Sequence, residues 1–249
     1  MEKILIADDQ SLFQEYFSII LGKMGYSPIL ANDGLDALEK AEHHEVALVF
    51  LDIEMPRMNG YETAKNLRKR GFNKPIIAVS ADALSDEKEK CLKAGIDDIL
   101  IKPVKMINIK NMLLKWINSA AAADDKHDAP PPPKQSTVFD GAEVLHTFMD
   151  DEQAVLSILA RFIERTKAQL AAFPDLEKAE DWENARRNAH TIKGSALTIS
   201  GVELGNAATR LEQAYINIDR EEMKPAYIIL QKAFDCFKKE AEDFIRSRN

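Results

Sequence analysis

The chain has 249 residues, 45% of them hydrophobic, and a formal net charge of −8. That length suits one large or two ordinary domains with packed cores, and an acidic balance without a basic block argues against direct nucleic-acid binding. Strand-sized apolar runs, no signal-peptide pattern, and two distant cysteines without metal-ligand spacing argue against membrane insertion, a disulfide scaffold and a zinc site. They point to a cytoplasmic protein whose Cys91 and Cys236 are buried thiols.

In chain order, Lys3 to Ala7 is a β-branched apolar run that turns polar at Asp8-Asp9. Leu12, Phe13, Tyr16, Phe17, Ile20 and Leu21 then recur at helical spacing. Tyr26 to Leu30, Val46 to Leu51, Pro75 to Val79 and Asp98 to Ile101 read as four further strands. Helical stretches near 34–43, 58–70, 84–94 and 105–117 follow them. Alternating β and α elements predict a doubly wound five-stranded parallel sheet covered on both faces, with its site at the carboxyl ends of the strands.

Residues 120–136 break this pattern with four alanines, a charged run and Pro130 to Pro133. Prolines lack a backbone donor and favour extended geometry, so this stretch is read as a linker, stiff at its proline end. The expected organisation is a first domain over 1–119, the linker over 120–136 and a second domain over 137–249. The second part shows no strand. Its apolar stripes are Val155 to Leu170, Trp182 to Ile199, Leu204 to Tyr215 and Met223 to Phe244, with a short leading helix near Gly141 to Met149. Four amphipathic helices joined by short turns predict an all-α four-helix bundle.

The polar residues of the first half gather at strand ends. Asp8 and Asp9 end the first strand, Asp52 the third, Ser80 the fourth and Lys102 the fifth. Three carboxylates this close repel one another unless a cation joins them, and an all-oxygen donor set suits magnesium. A carboxylate can also be a nucleophile that forms an aspartyl-phosphate. Magnesium, the Ser80 hydroxyl and the Lys102 ammonium would then neutralise the phosphoryl oxygens. Singly, Asp8 reads as a helix cap, Lys102 as a surface lysine and Gly60 as a turn; in this order at strand ends they read together as a site.

Asp8-Asp9, the run from Asp52 to Gly60, Val79-Ser80-Ala81 and Lys102-Pro103 resemble the response-regulator receiver family in order and spacing over about the first 118 residues. The resemblance implies a flavodoxin-like fold and Asp52 as phosphoacceptor. Asp8, Asp9, Asp52 and the backbone carbonyl of Glu54 would hold magnesium, Ser80 would sense the phosphoryl group, and Lys102 would pair with it. It also implies a cis peptide before Pro103. The family often carries an aromatic residue three positions before the lysine, where this chain has Ile99, which predicts a muted output switch.

In the second part, His190 lies about 130° from the apolar stripe of its helix at 100° per residue, and so is expected to face solvent. Gly194 shares that outer face, Lys193 lies on the flank, and Arg186 and Arg187 sit one turn earlier. A glycine in mid-helix costs about 1 kcal/mol relative to alanine, which close approach by a partner backbone would explain. The run Ala189-His190-Thr191-Ile192-Lys193-Gly194-Ser195-Ala196 resembles the histidine phosphotransfer (HPt) signature, and Gly201 and Leu211-Glu212 fit the same pattern. The resemblance implies phosphorylation of His190, assistance from Lys193 and room for a partner at Gly194. Alone, His190 reads as a solvated surface histidine, and His43, His44, His127 and His146 keep that reading.

These features are read as a cytoplasmic two-component phosphorelay protein that passes phosphoryl groups between Asp52 or another receiver aspartate and His190 or another phosphohistidine. No nucleotide-binding loop or kinase segment is visible, so the chain is expected to be a carrier with intrinsic phosphotransfer and autodephosphorylation rather than an ATP-dependent kinase. Its expected partners are a sensor histidine kinase, hybrid forms included, and other receiver domains or response regulators. Two rivals stay open: a non-catalytic interaction scaffold, and a fragment of a hybrid histidine kinase. A magnesium-dependent phosphatase with an aspartate nucleophile matches less well, because those enzymes follow the second acid with threonine or valine and here Met55 follows Glu54.

Overall fold

Val, Ile and Leu fill the strand-forming runs of the first half, and each is followed by a helix that covers the sheet. The elements are β1 (Lys3–Ala7), α1 (Ser11–Lys23), β2 (Ser27–Ala31), α2 (Gly34–His43), β3 (Val46–Asp52), α3 (Gly60–Lys69), β4 (Ile76–Ser80), α4 (Ser85–Ala94), β5 (Asp98–Ile101) and α5 (Met106–Trp116). This computed structural model describes residues 1–80, 85–117 and 138–248. The linker expected at 120–136 and Ala81 of the Val79-Ser80-Ala81 motif lie outside the described residues. The chain divides into two compact units, Met1–Pro130 and Pro131–Asn249.

In the first unit all five strands are parallel, in the order β2-β1-β3-β4-β5. This is the flavodoxin-like order, which reverses direction between β1 and β3. Leu5, Ala7, Val49 and Leu51 point to one face and pack in a cluster with Ala37, Ala64, Leu67 and Cys91. The other face takes the aromatic side of α1, where Phe17 meets Phe50 edge-on with ring centroids 4.9 Å apart. Both faces are thus dry, and β4 is buried along its whole length.

The second unit contains α6 (Gly141–Thr147), α7 (Glu152–Lys178), α8 (Trp182–Thr198), α9 (Val202–Ile216) and α10 (Arg220–Arg246). Asp140, Asp151, Asp181 and Asp219 cap α6, α7, α8 and α10 by accepting backbone N–H bonds. The turns are tight. Glu180, Ser200 and Ile218 each take a left-handed conformation just before the next helix. Gly205 lets α9 approach α8 closely, since a Cβ there would lie 2.7 Å from Leu197 Cδ2.

Two features depart from the sequence reading. The apolar stripe predicts a helix to Leu170, yet α7 runs through Pro174 to Lys178. Proline removes the N–H that the Leu170 carbonyl would accept, and the Tyr227 hydroxyl of α10 donates to that carbonyl instead, at 2.9 Å. The buried-thiol expectation holds for Cys91 but not for Cys236, which is exposed. Phe234 and Phe237 take the inward positions of α10, so the position between them turns outward. Among the described residues, no helix is long and apolar enough to cross a membrane.

Candidate functional site

The reversal of strand order places the acidic residues together. Ala7 of β1 is in register with Leu51 of β3, so the next residues, Asp8 and Asp52, emerge side by side at the carboxyl edge of the sheet. Asp8, Asp9 and Asp52 each offer a carboxylate oxygen, and these oxygens all lie within 4.8 Å of one another. Asp8 Oδ1 accepts the Gln10 N–H at 2.8 Å. The Gln14 amide donates to the carbonyls of Asp8 and Ala31 at 2.6 and 2.9 Å, which pins the turn out of β1. Gly60 is needed here as well. Its N–H donates to the Ile53 carbonyl at 2.9 Å, and a Cβ would sit 2.4 Å from the Asp52 carbonyl oxygen.

Lys102 reaches this cluster from the end of β5. Its Nζ is 3.1 Å from Asp8 Oδ2 and 3.2 Å from Asp52 Oδ2, and 4.5 Å from the centre of the Phe13 ring. Burial disfavours the ammonium, but attraction to Asp52 and then Asp8 outweighs it and holds the Lys102 pKa above the ordinary lysine range. The peptide bond from Lys102 to Pro103 is cis, and the Tyr16 hydroxyl donates to the Val104 carbonyl at 2.8 Å. Ser80 is buried at the end of β4, where its carbonyl accepts the Lys102 N–H at 2.7 Å. The Glu54 side chain is exposed, and Ile99 is half-buried against the core. Three carboxylates against one ammonium leave the cluster negative. The oxygen donors and their spacing fit a hard divalent cation such as magnesium.

The histidine site differs from its sequence reading. His190 does not face solvent: it is buried, and its Nδ1 lies 2.6 Å from Glu212 Oε1 on α9. The helical wheel located His190 only against the stripe of α8, and the neighbouring α9 occupies that flank. Lys193 Nζ lies 3.1 Å from Glu212 Oε2, so His190 and Lys193 share one carboxylate. Burial raises the Glu212 pKa, but the hydrogen bond and charge of His190, then Lys193, outweigh it, and the group is held below the usual carboxylate range. Gly194 is half-buried, and Arg186 pairs with Glu183 at 3.0 Å.

Glu212 is the residue the sequence reading passed over, noting it only as part of a pattern. It follows Ala208 by four residues, inside the buried stripe of α9. A carboxylate on an apolar stripe is the signal that could have found it, since buried charges need partners.

Residues 4–114 match the model described as response regulator receiver domain, and residues 143–244 match the Hpt domain model. The chain carries a receiver domain and an Hpt domain. The receiver is 39% identical over 110 residues to the sensor histidine kinase RcsC of Escherichia coli K12, covering 44% of this chain and 12% of RcsC. Receiver and Hpt together are 31% identical over 217 residues to the sensor protein EvgS of the same organism, covering 87% of this chain and 17% of EvgS. The chain thus spans less than a fifth of the length of these two relatives. Among solved structures, the receiver domain of sensor histidine kinase PA1611 from Pseudomonas aeruginosa, which has magnesium coordinated in its active-site cleft, is 33% identical. That match covers 47% of this chain and 98% of the other, with a TM-score of 0.44.

Proposed function

We propose that this chain is a phosphoryl carrier of a two-component phosphorelay, with Asp52 and His190 as its two acceptors. The observation that carries the reading is the convergence of Asp8, Asp9, Asp52 and Lys102 on one strand edge, in a chain that also pairs His190 with a buried carboxylate. A carboxylate oxygen of Asp52 attacks the phosphorus of a phosphohistidine donor. A P–O bond forms, the P–N bond breaks, and the departing imidazole nitrogen takes up a proton. The Lys102 ammonium moves from the carboxylates to a phosphoryl oxygen, and the Ser80 hydroxyl donates to another. Asp8, Asp9, Asp52 and the Glu54 carbonyl would hold magnesium, which supplies positive charge for the remaining phosphoryl oxygens.

At the second site the ionised Glu212 can only accept, so when the His190 ring is neutral it carries its proton on Nδ1. That leaves the lone pair on Nε2 as the nucleophile for an aspartyl-phosphate: an N–P bond forms as the O–P bond breaks, and the aspartate leaves as its carboxylate. Lys193, already beside Glu212, supplies charge for the incoming phosphoryl group. The expected donor is a sensor histidine kinase, hybrid or not, and the expected recipients are other receiver domains, all in the cytoplasm and without nucleic-acid contact. On this reading the chain is a carrier without ATP-dependent kinase activity. The 217-residue match that spans both domains favours a second reading, in which this pair is one segment of a larger sensor kinase.

The test is phosphotransfer from candidate kinases to wild type, Asp52→Asn, His190→Gln and the double variant. Wild type should acquire an acid-labile, alkali-stable label at His190 and an alkali- and hydroxylamine-labile label at Asp52, Asp52→Asn should lose the receiver label, and excess chelator should block labelling of Asp52. Unchanged labelling of the double variant would refute both acceptor assignments.

A further inference from the structure

The segment between Asp52 and α3 carries the Glu54 carbonyl, and how it is held is visible in the first unit. Its far end is fixed by Asn59, whose side chain accepts from Glu62 N at 2.9 Å while the Glu62 carboxylate accepts from Asn59 N at 3.2 Å. Its middle is fixed by a separate device. Arg57 takes a left-handed conformation, φ +64°, and its Nε donates to Asp33 Oδ2 at 2.7 Å, with Nη2 donating to the same oxygen. Asp33 is buried at 3% exposure although Arg57 is largely exposed. The other Asp33 oxygen caps α2, accepting from Leu35 N and Asp36 N at 2.9 and 3.0 Å. One carboxylate therefore ties the start of α2 to the middle of the Asp52 segment. The packing is tight there too: a Cβ on Gly34 would lie 2.7 Å from the Met58 carbonyl oxygen.

We infer that Asp33 and Arg57 form a clasp that positions residues 53–58, and with them the Glu54 carbonyl, for magnesium at Asp8, Asp9 and Asp52. This rests on the metal site proposed above. Neither residue is among the proposed ligands, so both are positioning residues. Supporting residues one step from the ligands act by cutting the freedom of the ligands they hold, and their loss weakens metal binding. Charge and position make opposite forecasts here. Removing the Arg57 guanidinium from an acidic region would by charge alone strengthen cation binding. Loss of a clasp weakens it.

The experiment is calorimetric titration of magnesium chloride into the full chain at fixed ionic strength. The chains are wild type, Arg57→Ala, Arg57→Lys, Asp33→Asn and the Asp33→Asn/Arg57→Ala double variant. Asp33→Asn keeps an acceptor oxygen for the α2 cap. Arg57→Ala should weaken magnesium about tenfold, Arg57→Lys should recover part of the loss, and the double variant should bind no more weakly than the worse single one. Urea midpoints taken in chelator should separate this from general unfolding, because the exposed Arg57 side chain contributes little to the core. Equal or tighter binding by Arg57→Ala overturns the clasp while leaving the metal site standing, as do losses that add in the double variant. Absence of magnesium binding by wild type overturns the metal site and the clasp together.

Discussion

A carboxylate can only accept hydrogen bonds, so Glu212, lying between His190 Nδ1 and Lys193 Nζ, dictates which imidazole nitrogen is available. Glu212→Gln removes that constraint, because an amide can donate as well as accept. Transfer to His190 should slow while the fold persists, measured as the rate of labelling from a phosphorylated receiver. The same substitution should cost about 1–3 kcal/mol at neutral pH, since it leaves Lys193 with a weaker partner. The pH dependence follows from the lowered folded-state pKa of Glu212. Its stabilisation is complete above the unfolded value of about 4.3 and is lost as pH falls through the folded value. The gap between wild type and Glu212→Gln should therefore close in acid, and a gap constant down to pH 2 would count against an ionised Glu212. In the receiver, Asp9→Asn should raise the urea midpoint in chelator by easing repulsion among three carboxylates. Lys102→Met should lower it, because it leaves Asp8 and Asp52 buried without their cation.

Helix ends carry most of the element-scale information in the second unit. Asp181 and Asp219 cap α8 and α10, and each is preceded by a left-handed residue that ends the previous helix. At Ile218 that residue is β-branched, φ is +50° and the side chain is 54% exposed. Little packing offsets the backbone penalty. Ile218→Asn should stabilise the Hpt domain by on the order of 1 kcal/mol, since Asn tolerates this conformation. A thermal or urea midpoint that falls would show that Ile218 packs more than its exposure indicates. The strand assignments were legible to within one or two residues because buried parallel strands are runs of Val, Ile and Leu. The course of α7 past Leu170 was not, because the partner that satisfies the Leu170 carbonyl, Tyr227, is 57 residues away in sequence.

At the scale of the whole molecule, Asp8, Asp9, Asp52 and Lys102 gather in the first unit, and His190, Lys193 and Glu212 gather in the second. Each of these two sets should serve a separate molecule. His190→Gln chains phosphorylated at Asp52, mixed with Asp52→Asn chains, should pass label to His190 at a rate that rises with concentration. No exchange between these variants, beside fast and concentration-independent transfer in wild type, would show that the relay is closed within one chain.

The residue types and their order were enough to specify a parallel sheet, a helical bundle and the positions of Asp8, Asp9, Asp52, Ser80, Lys102, His190 and Lys193, because the periods of strand and helix and the polar breaks at strand ends are local properties. The surroundings of those residues were decided by tertiary structure. Lys102 comes within 3.1 Å of Asp8 across 94 residues, Arg57 reaches Asp33 across 24, and Glu212 covers His190 across 22. Periodicity orients a side chain only relative to its own helix or strand. What it meets there depends on which other element packs against that face, and for His190 the arrival of α9 turned an expected solvent-facing imidazole into one held by a buried carboxylate.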